Sequence, residues 1–560
     1  MKGAKAIVRS LEEEGVKHLF GILGGSIMEV YDVLYDRGPR HILMRHEQCA
    51  AHAAEAYARV SGKTGVCIAT SGPGATNLVT GIADAQLDSS PMVAFTGQVP
   101  NHLIGNDAFQ ETDIIGITMP ITKHNFQITK TDDIPHTIKA AFKIASTRRP
   151  GPVLVDLPKD IQQNKLTKKF AYPKDVNLAG YKEMKSAGHA GQIKQAAKVL
   201  INSERLVILA GGGVIISNAS LQVYKLSESL GAPVATTLMG KGCFPEDHPL
   251  SLGMTGMHGR KTANLAISEC DVLLSVGCRF SDRITGDIKH FAPDAIKIHV
   301  DIDPSEIGKN VQANIPIVGD ARLVLDNLIK AVGRLKSKKN TAWSRKIAEY
   351  KKEYAPVYDY DSVPLKQQCV MKAINELIDD KTIITTEVGQ CQMWAAHYLN
   401  MKHPRTFISS GGLGTMGSGF PFAIGAKVAK PDYKVIDVAS DGSFLMTGND
   451  LATCVEEKIP VVVALLNNRY LGMVKQWQDL FYDKRRSHTS LGEVPDFVEY
   501  AKSFKAGGIR IEKLDEIKPA FKQALEADIP YVLDFHIDPD EHVLPMMLPG
   551  GKPQEMIESH

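Results

Sequence analysis

Residues 435–470 read VIDVASDGSFLMTGNDLATCVEEKIPVVVALLNNRY, and this stretch decides the fold. "VIDVAS" is a short apolar run, "GNDLATCVEE" has a helical pattern, and "PVVVALLNN" is a second apolar run. Run, helix and run together read as a βαβ unit with two adjacent parallel strands. Asp441 and Asn468 then lie side by side at the carboxyl edge of the sheet, where open α/β sheets bind their ligands. A carboxylate and an amide oxygen, with a loop carbonyl nearby, are hard donors suited to an octahedral Mg²⁺ that also takes phosphate oxygens. A helix starting after Gly442 adds backbone N–H groups for the same anion. Taken alone, however, a DG turn and a terminal NN pair are more often plain turn residues.

Outward from this unit the alternation continues. "KTIITTEVGQ" and "PYVLDFHID" supply further strands of the same block, about 365–545. A second block, about 190–335, carries "RLVILAGGG", "APVATTLMG", "DVLLSVGCRF" and "AIKIHVDIDP". A first block, up to about 165, carries "HILM", "TGVCIATSGPG", "SPMVAFTGQV" and "GPVLVDLPKD" after an amphipathic amino-terminal helix. Apolar strands separated by helical patterns argue for parallel sheets covered on both faces, so the fold class is α/β with three doubly wound units. Two joints separate them: a polar linker "QQNKLTKKFAYPKDVNLAGYKEMKSAG", and "GRLKSKKN" followed by a Tyr-rich "EYKKEYAPVYDYDSVPL" expected to be extended.

Composition narrows the function. The 560 residues hold 65 Lys+Arg against 63 Asp+Glu, spread along the chain, which leaves no basic field for nucleic acid. No apolar run approaches the ~20 residues needed to cross a bilayer. The eight cysteines form no CxxC pair and no cluster with histidine, and they sit in apolar or glycine-containing runs. Reduced, buried thiols and the absence of a leader ahead of the first helix are the expectations for a cytoplasmic protein.

The 27-residue separation of Asp441 and Asn468 resembles the thiamine diphosphate motif, in which GDG is followed by NN. In that motif the Asp, the second Asn and a carbonyl two residues later bind the metal; here those positions are Asp441, Asn468 and Tyr470. Ser440 stands where the motif has its first glycine. The same enzymes place a glutamate in a "HEQ…A…A" helix, similar to "MRHEQCAAHAAEAYAR" here, so Glu47 takes that position. By itself, a Glu at a helix start is ordinary dipole compensation. The segments "TSGPGATNLVTGIADAQLDSSP", "AFTGQV", "DAFQETD", "ITKHN", "RPGPVLVDLPKD", "LGMTGMHG", "GCRFSDR", "SSGGLGTMGSGFP", "LGMVKQWQDLFY" and "LPMMLPGG", in this order, resemble the acetohydroxyacid synthases, the large catalytic subunits of acetolactate synthase.

The resemblance implies two thiamine diphosphate domains, 1–165 for the aminopyrimidine and 365–545 for the diphosphate and Mg²⁺, flanking a Rossmann-like FAD domain at 190–335. It implies that Gly25, Pro73, Asn77, Gln110 and Lys159 lie near the reacting centre with Glu47. It assigns Val388, Gly389, Gln390, Gly414, Met416, Gly442, Ser443, Gly472 and Met473 to the thiamine diphosphate wall. To FAD it assigns Gly212, Thr237, Met239, Gly256, His258, Arg279, Asp301 and Asp320. Two further departures are "GILGG" before Gly25, where the family has GYPGG, and Ser281, where it has Asp. Arg283 is the implied receptor for the carboxylate of a second 2-keto acid, and Trp477 the implied wall of its alkyl pocket. Without the resemblance, Arg283 reads as a surface charge and Trp477 as core.

The implied activity is decarboxylation of pyruvate and transfer of its two-carbon unit to pyruvate or 2-oxobutyrate, toward valine, leucine and isoleucine. Implied partners are a second copy in a homodimer or homotetramer, with sites across the interface, and a small regulatory subunit. Rival readings are a pyruvate oxidase that passes electrons to FAD, a glyoxylate carboligase, and a non-catalytic relative. The "GMHG" and "RFSDR" segments favour the carboligase over the oxidase, and Glu47 with Asp441 and Asn468 argues against the other two.

Overall fold

The computed structural model describes residues 1–181, 186–333, 341–355 and 362–558. It contains three six-stranded sheets in which every strand pairing is parallel. The first holds β1 His18–Gly21, β2 Arg40–Leu43, β3 Gly65–Ala69, β4 Met92–Gln98, β5 His124–Gln127 and β6 Pro152–Pro158. The second holds β7 Leu206–Ala210, β8 Val234–Thr236, β9 Ser251–Met254, β10 Val272–Val276, β11 Ile296–Asp301 and β12 Ile315–Val318. The third holds β13 Thr382–Thr386, β14 Phe407–Ser409, β15 Lys434–Ser440, β16 Val462–Asn467, β17 Gly507–Ile511 and β18 Tyr531–His536.

The strand orders are β2-β1-β3-β4-β6-β5, β12-β11-β10-β7-β8-β9 and β14-β13-β15-β16-β18-β17. Numbered within each sheet, the first and third share the order 2-1-3-4-6-5, whereas the middle one is 3-2-1-4-5-6, the dinucleotide-binding order. The inner strands β3, β4, β6, β7 and β10 are buried along their whole length, which explains their continuous apolar runs. All eight cysteines are free and buried. Among the described residues, no helix is long and apolar enough to cross a membrane.

One sequence reading is corrected. Residues 349–353, expected to be extended, close the helix Thr341–Glu353, whose charged, lysine-rich sequence suits an exposed helix better than a linker. Residues 356–361 of the same stretch, 182–185 of the first linker and 334–340 of "GRLKSKKN" lie outside the described residues.

The first and third sheets meet through two helices. Glu47–Ser61 is alanine-rich and buried at twelve positions, and it packs on Gly419–Ala429. The approach is so close that a Cβ at Gly425 would lie 2.0 Å from the carbonyl oxygen of Ala53. Gly425→Ala should therefore lower stability by about 1–3 kcal/mol through overpacking. The midpoint of urea unfolding reads this directly, and an unshifted midpoint would show that the two backbones are not in contact.

Candidate active site

Asp441 follows β15 and Asn468 follows β16, and the register Ser440↔Leu466 brings the two ends together. Both side chains are buried. Burial pushes the Asp441 carboxyl up to about 7, against the backbone N–H groups of Gly442 and Arg469, which favour the charged form. Asn468 Oδ1 accepts from the Tyr470 N–H at 3.0 Å. Tyr470 bridges to Ser490, but the bonds of that bridge are carried by Leu471 N–H to Thr489 and by Leu491 N–H to Arg469. Tyr470 is thus held in the same loop as Asn468, with its N–H on the Asn468 side. A buried carboxylate beside an amide oxygen, with no cation paired to it among the described residues, suits a hard dication. Ser440 sits at φ −115°, ψ 157°, an extended conformation open to any residue, so the missing glycine leaves the turn intact.

Two helices aim their amino termini at the same place. Gly389, at φ +138°, precedes the helix Gln390–Tyr398, and the second helix is Gly472–Phe481. Gln390 Oε1 accepts from Asn468 Nδ2 at 3.2 Å, and a Cβ at Gly472 would lie 2.2 Å from that oxygen. A side chain at position 472 would displace the Gln390 and Asn468 amides, and the paired helix ends suit a diphosphate. The Met416 side chain lies beside Gly442, where a Cβ would come within 3.9 Å of Cε. Ser443 bonds Ser440 across the turn at 2.7 Å.

The first sheet forms the other half. Glu47 opens its helix, buried, and its Oε2 accepts from Asn77 Nδ2 at 3.0 Å. Pro73 starts the short helix Pro73–Asn77, and Gly72, at φ +60°, lets the Gln110 carbonyl approach to 2.9 Å from where a side chain would begin. Gly25 lies exposed after β1 with open space beside it, despite the "GILGG" departure, and Lys159 lies directly after β6. These residues all follow strand carboxyl ends. Among the described residues, Glu47 contacts Asn77 and Gly74, while Asp441 and Asn468 contact their own loops and Gln390.

A cavity of about 750 Å³ lies between the second sheet and the third, with Asp88 and Arg149 of the first layer also on its wall. Gly212, Thr237, Met239, His258, Arg279, Asp301 and Asp320 line it, as do Ser281 and Arg283. Its floor is the switch point between β7 and β10, where Gly213 and Gly277 are so close that a Cβ on the former would lie 2.7 Å from the latter's Cα. Side chains are excluded there, which leaves bare backbone for a phosphate. Gly256 does not line the cavity: at φ +114° it packs on the Arg283 carbonyl and shapes the Thr255–Met257 turn from behind. Burial, with Arg283 nearby, holds His258 down at about 4, so its ring is neutral; burial pushes Asp301 up to about 6. Val388, Gly389, Gly414, Met473 and Trp477 line the far end. There the Arg283 guanidinium stands 5.9 Å from the Trp477 ring centroid. Trp477 is therefore a half-buried cavity wall rather than core, and its buried indole N–H has no hydrogen-bond partner.

Sequence reasoning missed Glu387, Asp84 and Asp88, buried acids beneath this site. Glu387 stood inside "EVGQ", the one available signal: an acidic residue ending an apolar strand.

Residues 1–117, 193–328 and 387–535 match, in that order, the family models for the amino-terminal thiamine pyrophosphate binding domain, the central domain and the carboxyl-terminal thiamine pyrophosphate binding domain of thiamine pyrophosphate enzymes. The chain is 57% identical to a probable acetolactate synthase large subunit of Methanocaldococcus jannaschii, across 100% of this chain and 95% of that one. It is 49% identical to the acetolactate synthase large subunit of Corynebacterium glutamicum, across 98% and 89%. An acetolactate synthase of Mycobacterium bovis is 47% identical across 99% and 91%. With three such domains in order and this similarity along nearly its whole length, the chain belongs to the acetolactate synthase large subunits, within the thiamine pyrophosphate enzymes.

Proposed function

We propose that this acetolactate synthase acts on pyruvate as donor and on pyruvate or 2-oxobutyrate as acceptor, giving 2-acetolactate or 2-aceto-2-hydroxybutyrate. The observation that carries this reading is the single cavity that faces Arg283 and Trp477 toward Val388, Gly389, Gly414 and Met473. Thiamine diphosphate, when bound, supplies the electron sink for the carbon that loses carbon dioxide. Asp441, Asn468 and the Tyr470 carbonyl would hold its Mg²⁺, with the helix ends at Gln390 and Gly472 taking the diphosphate. Glu47 would hold and release a proton: Asn77 orients its Oε2, and the bare backbone of Gly74 leaves room beside Oε1. Arg283 suits a carboxylate because a planar guanidinium binds it through two N–H groups, and its side chain is 58% exposed, free to meet a ligand. Trp477 offers an apolar face to the acceptor's alkyl group.

FAD would lie along the second sheet's carboxyl edge. Carboligation neither consumes nor returns electrons, so the flavin would be a structural component. In this reading Glu47 of one copy and the Asp441 set of another would complete each site across the interface of a homodimer or homotetramer. The units would be 1–165, 190–335 and 365–545, the protein would work in the cytoplasm, and a small regulatory subunit would join it, as the large-subunit names of the relatives suggest.

The direct test is to mix the purified protein with pyruvate, thiamine diphosphate, Mg²⁺ and FAD, anaerobically. 2-Acetolactate should accumulate while the flavin stays oxidised. Stoichiometric flavin bleaching without that product would make the protein an oxidase.

Two substitutions separate binding from proton transfer. Asp441→Ala should lose Mg²⁺-dependent binding of thiamine diphosphate in a fluorescence titration. Glu47→Gln should keep that binding and lose ~10²- to 10⁴-fold in turnover, the usual scale of acid–base catalysis. Equal behaviour of the two variants contradicts the assignment.

Trp477→Leu should erode preference for 2-oxobutyrate over pyruvate as acceptor. The two differ by one methylene, worth ~1 to 3 kcal/mol in an apolar pocket. Both acceptors competing for one enzyme give the product ratio; an unaltered ratio removes Trp477 from the acceptor pocket.

A further inference from the structure

Residues 410–420, SGGLGTMGSGF, carry Gly414 and Met416, and buried acids hold this segment at both ends. At the start, Asp88 of the first sheet's layer accepts the N–H groups of Gly411 at 3.0 Å and Gly412 at 2.7 Å. Asp84 accepts the Ser410 hydroxyl at 2.6 Å, and that same oxygen accepts the N–H groups of Gly414 at 3.0 Å and Thr415 at 2.9 Å. Arg59 closes this end, donating to Asp88 at 3.3 Å and to the Ser409 carbonyl at 2.9 Å. At the far end Glu387 accepts the N–H groups of Gly417 at 2.7 Å and Phe420 at 3.0 Å. Met416 stands between the two anchors.

The anchoring groups have little other use for their charge. Asp84, Asp88 and Glu387 are removed from water, and Glu55 beside them is buried too, with the Arg59 guanidinium paired to Glu55 and Asp88. Among the described residues, Glu55 Oε2 and His52 Nε2 have no hydrogen-bond partner, and Asp84 Oδ2 has only the His52 Nδ1 at 3.5 Å. Burying acids this way opposes folding, and apolar residues of similar volume would pack there at less cost. What the acids provide is a set of acceptors for glycine-rich backbone, which has no side chains with which to fix itself.

We propose that Asp84, Asp88 and Glu387 are positioning residues that clamp residues 410–420, so that the first layer of the chain sets the shape of the thiamine diphosphate wall in the third. The proposal rests on the reading of Met416 and Gly414 as part of that wall. Glu387 works from within the third sheet, whereas Asp84 and Asp88 reach it across more than 300 residues of sequence. The clamp makes Met416 a rigid wedge rather than a flexible side chain on a loose loop.

The test uses the full chain. Asp88→Asn keeps the shape but removes charge and one acceptor. Ser410→Ala, which cuts one donor and one acceptor without touching the acids, serves if the first variant does not fold. Amide hydrogen exchange over 411–417 should quicken about tenfold in either, the scale of one lost charge-assisted hydrogen bond. Half-saturating thiamine diphosphate at fixed Mg²⁺, followed by intrinsic fluorescence, should rise about 3- to 10-fold. Combining either variant with Met416→Ala should raise it less than the product of the single effects, since both act through one element. Faster exchange with unaltered affinity, or independent effects that multiply, overturns the proposal. Met416→Ala alone with unaltered affinity overturns the wedge reading instead, and is recognised because it does so in the chain with its clamp intact.

Discussion

The structure depends on one close contact, the packing of the helix Glu47–Ser61 between backbones. Ideal Cβ atoms at Gly65, Gly81 and Gly425 would lie 1.9, 2.4 and 2.0 Å from Ala54, Ala51 and Ala53. Glycine on three neighbouring elements and alanine on the helix let main chain meet main chain at Gly65 and Gly425 and a single methyl at Gly81, so dispersion contacts form without side-chain entropy loss. A helix seated this tightly can neither slide nor rotate. Glu47 at its amino end and Arg59 in its last turn inherit that rigidity, and one would act in proton transfer while the other braces the glycine-rich segment of the third layer.

Charge then ties the middle layer to the others. Lys241 and Glu246 form a buried ion pair, and Glu246 also accepts the Met401 N–H at 2.8 Å, joining the second sheet's layer to the third. Arg405 donates to the Arg59 carbonyl at 2.7 Å and to the Ile215 carbonyl at 3.2 Å, so one guanidinium touches the ends of two helices in two other layers. Buried pairs of this kind add little net stability, because desolvation offsets the attraction. They make any other arrangement of the three layers costly, since a displaced partner would leave a buried charge alone. The cavity between the second and third sheets keeps its shape for that reason.

The repeated order 2-1-3-4-6-5 in the first and third sheets explains why the site divides as it does. Each sheet presents its loops at the carboxyl edge, one with an acid and an amide at Glu47 and Asn77, the other with a buried carboxylate and a helix end at Asp441 and Gln390. The middle sheet, with its own order, puts its switch point at bare glycines instead. Most residues named for the site from the sequence lie in the segments that follow the carboxyl ends of strands, where a parallel sheet leaves backbone groups and loops uncovered, with Gln110 and Trp477 farther along the chain.

The sequence by itself determined the inner strands, because burial on both faces demands unbroken apolar runs, and it pointed to Asp441 and Asn468 by their places at the ends of two such runs, while Glu47 was singled out only by the resemblance of its helix. It did not reveal β5, β9, β12, β14 or β17. All five lie at sheet edges, where one neighbour is missing and the apolar pattern is short or broken. Nor did it show that Trp477 faces Arg283, that Gly256 works from behind its turn, or that Asp84 and Asp88 hold a loop in another layer. A sequence records which groups are present and how far apart along the chain; which of them meet depends on how three sheets stack, and that was decided by contacts between residues hundreds of positions apart.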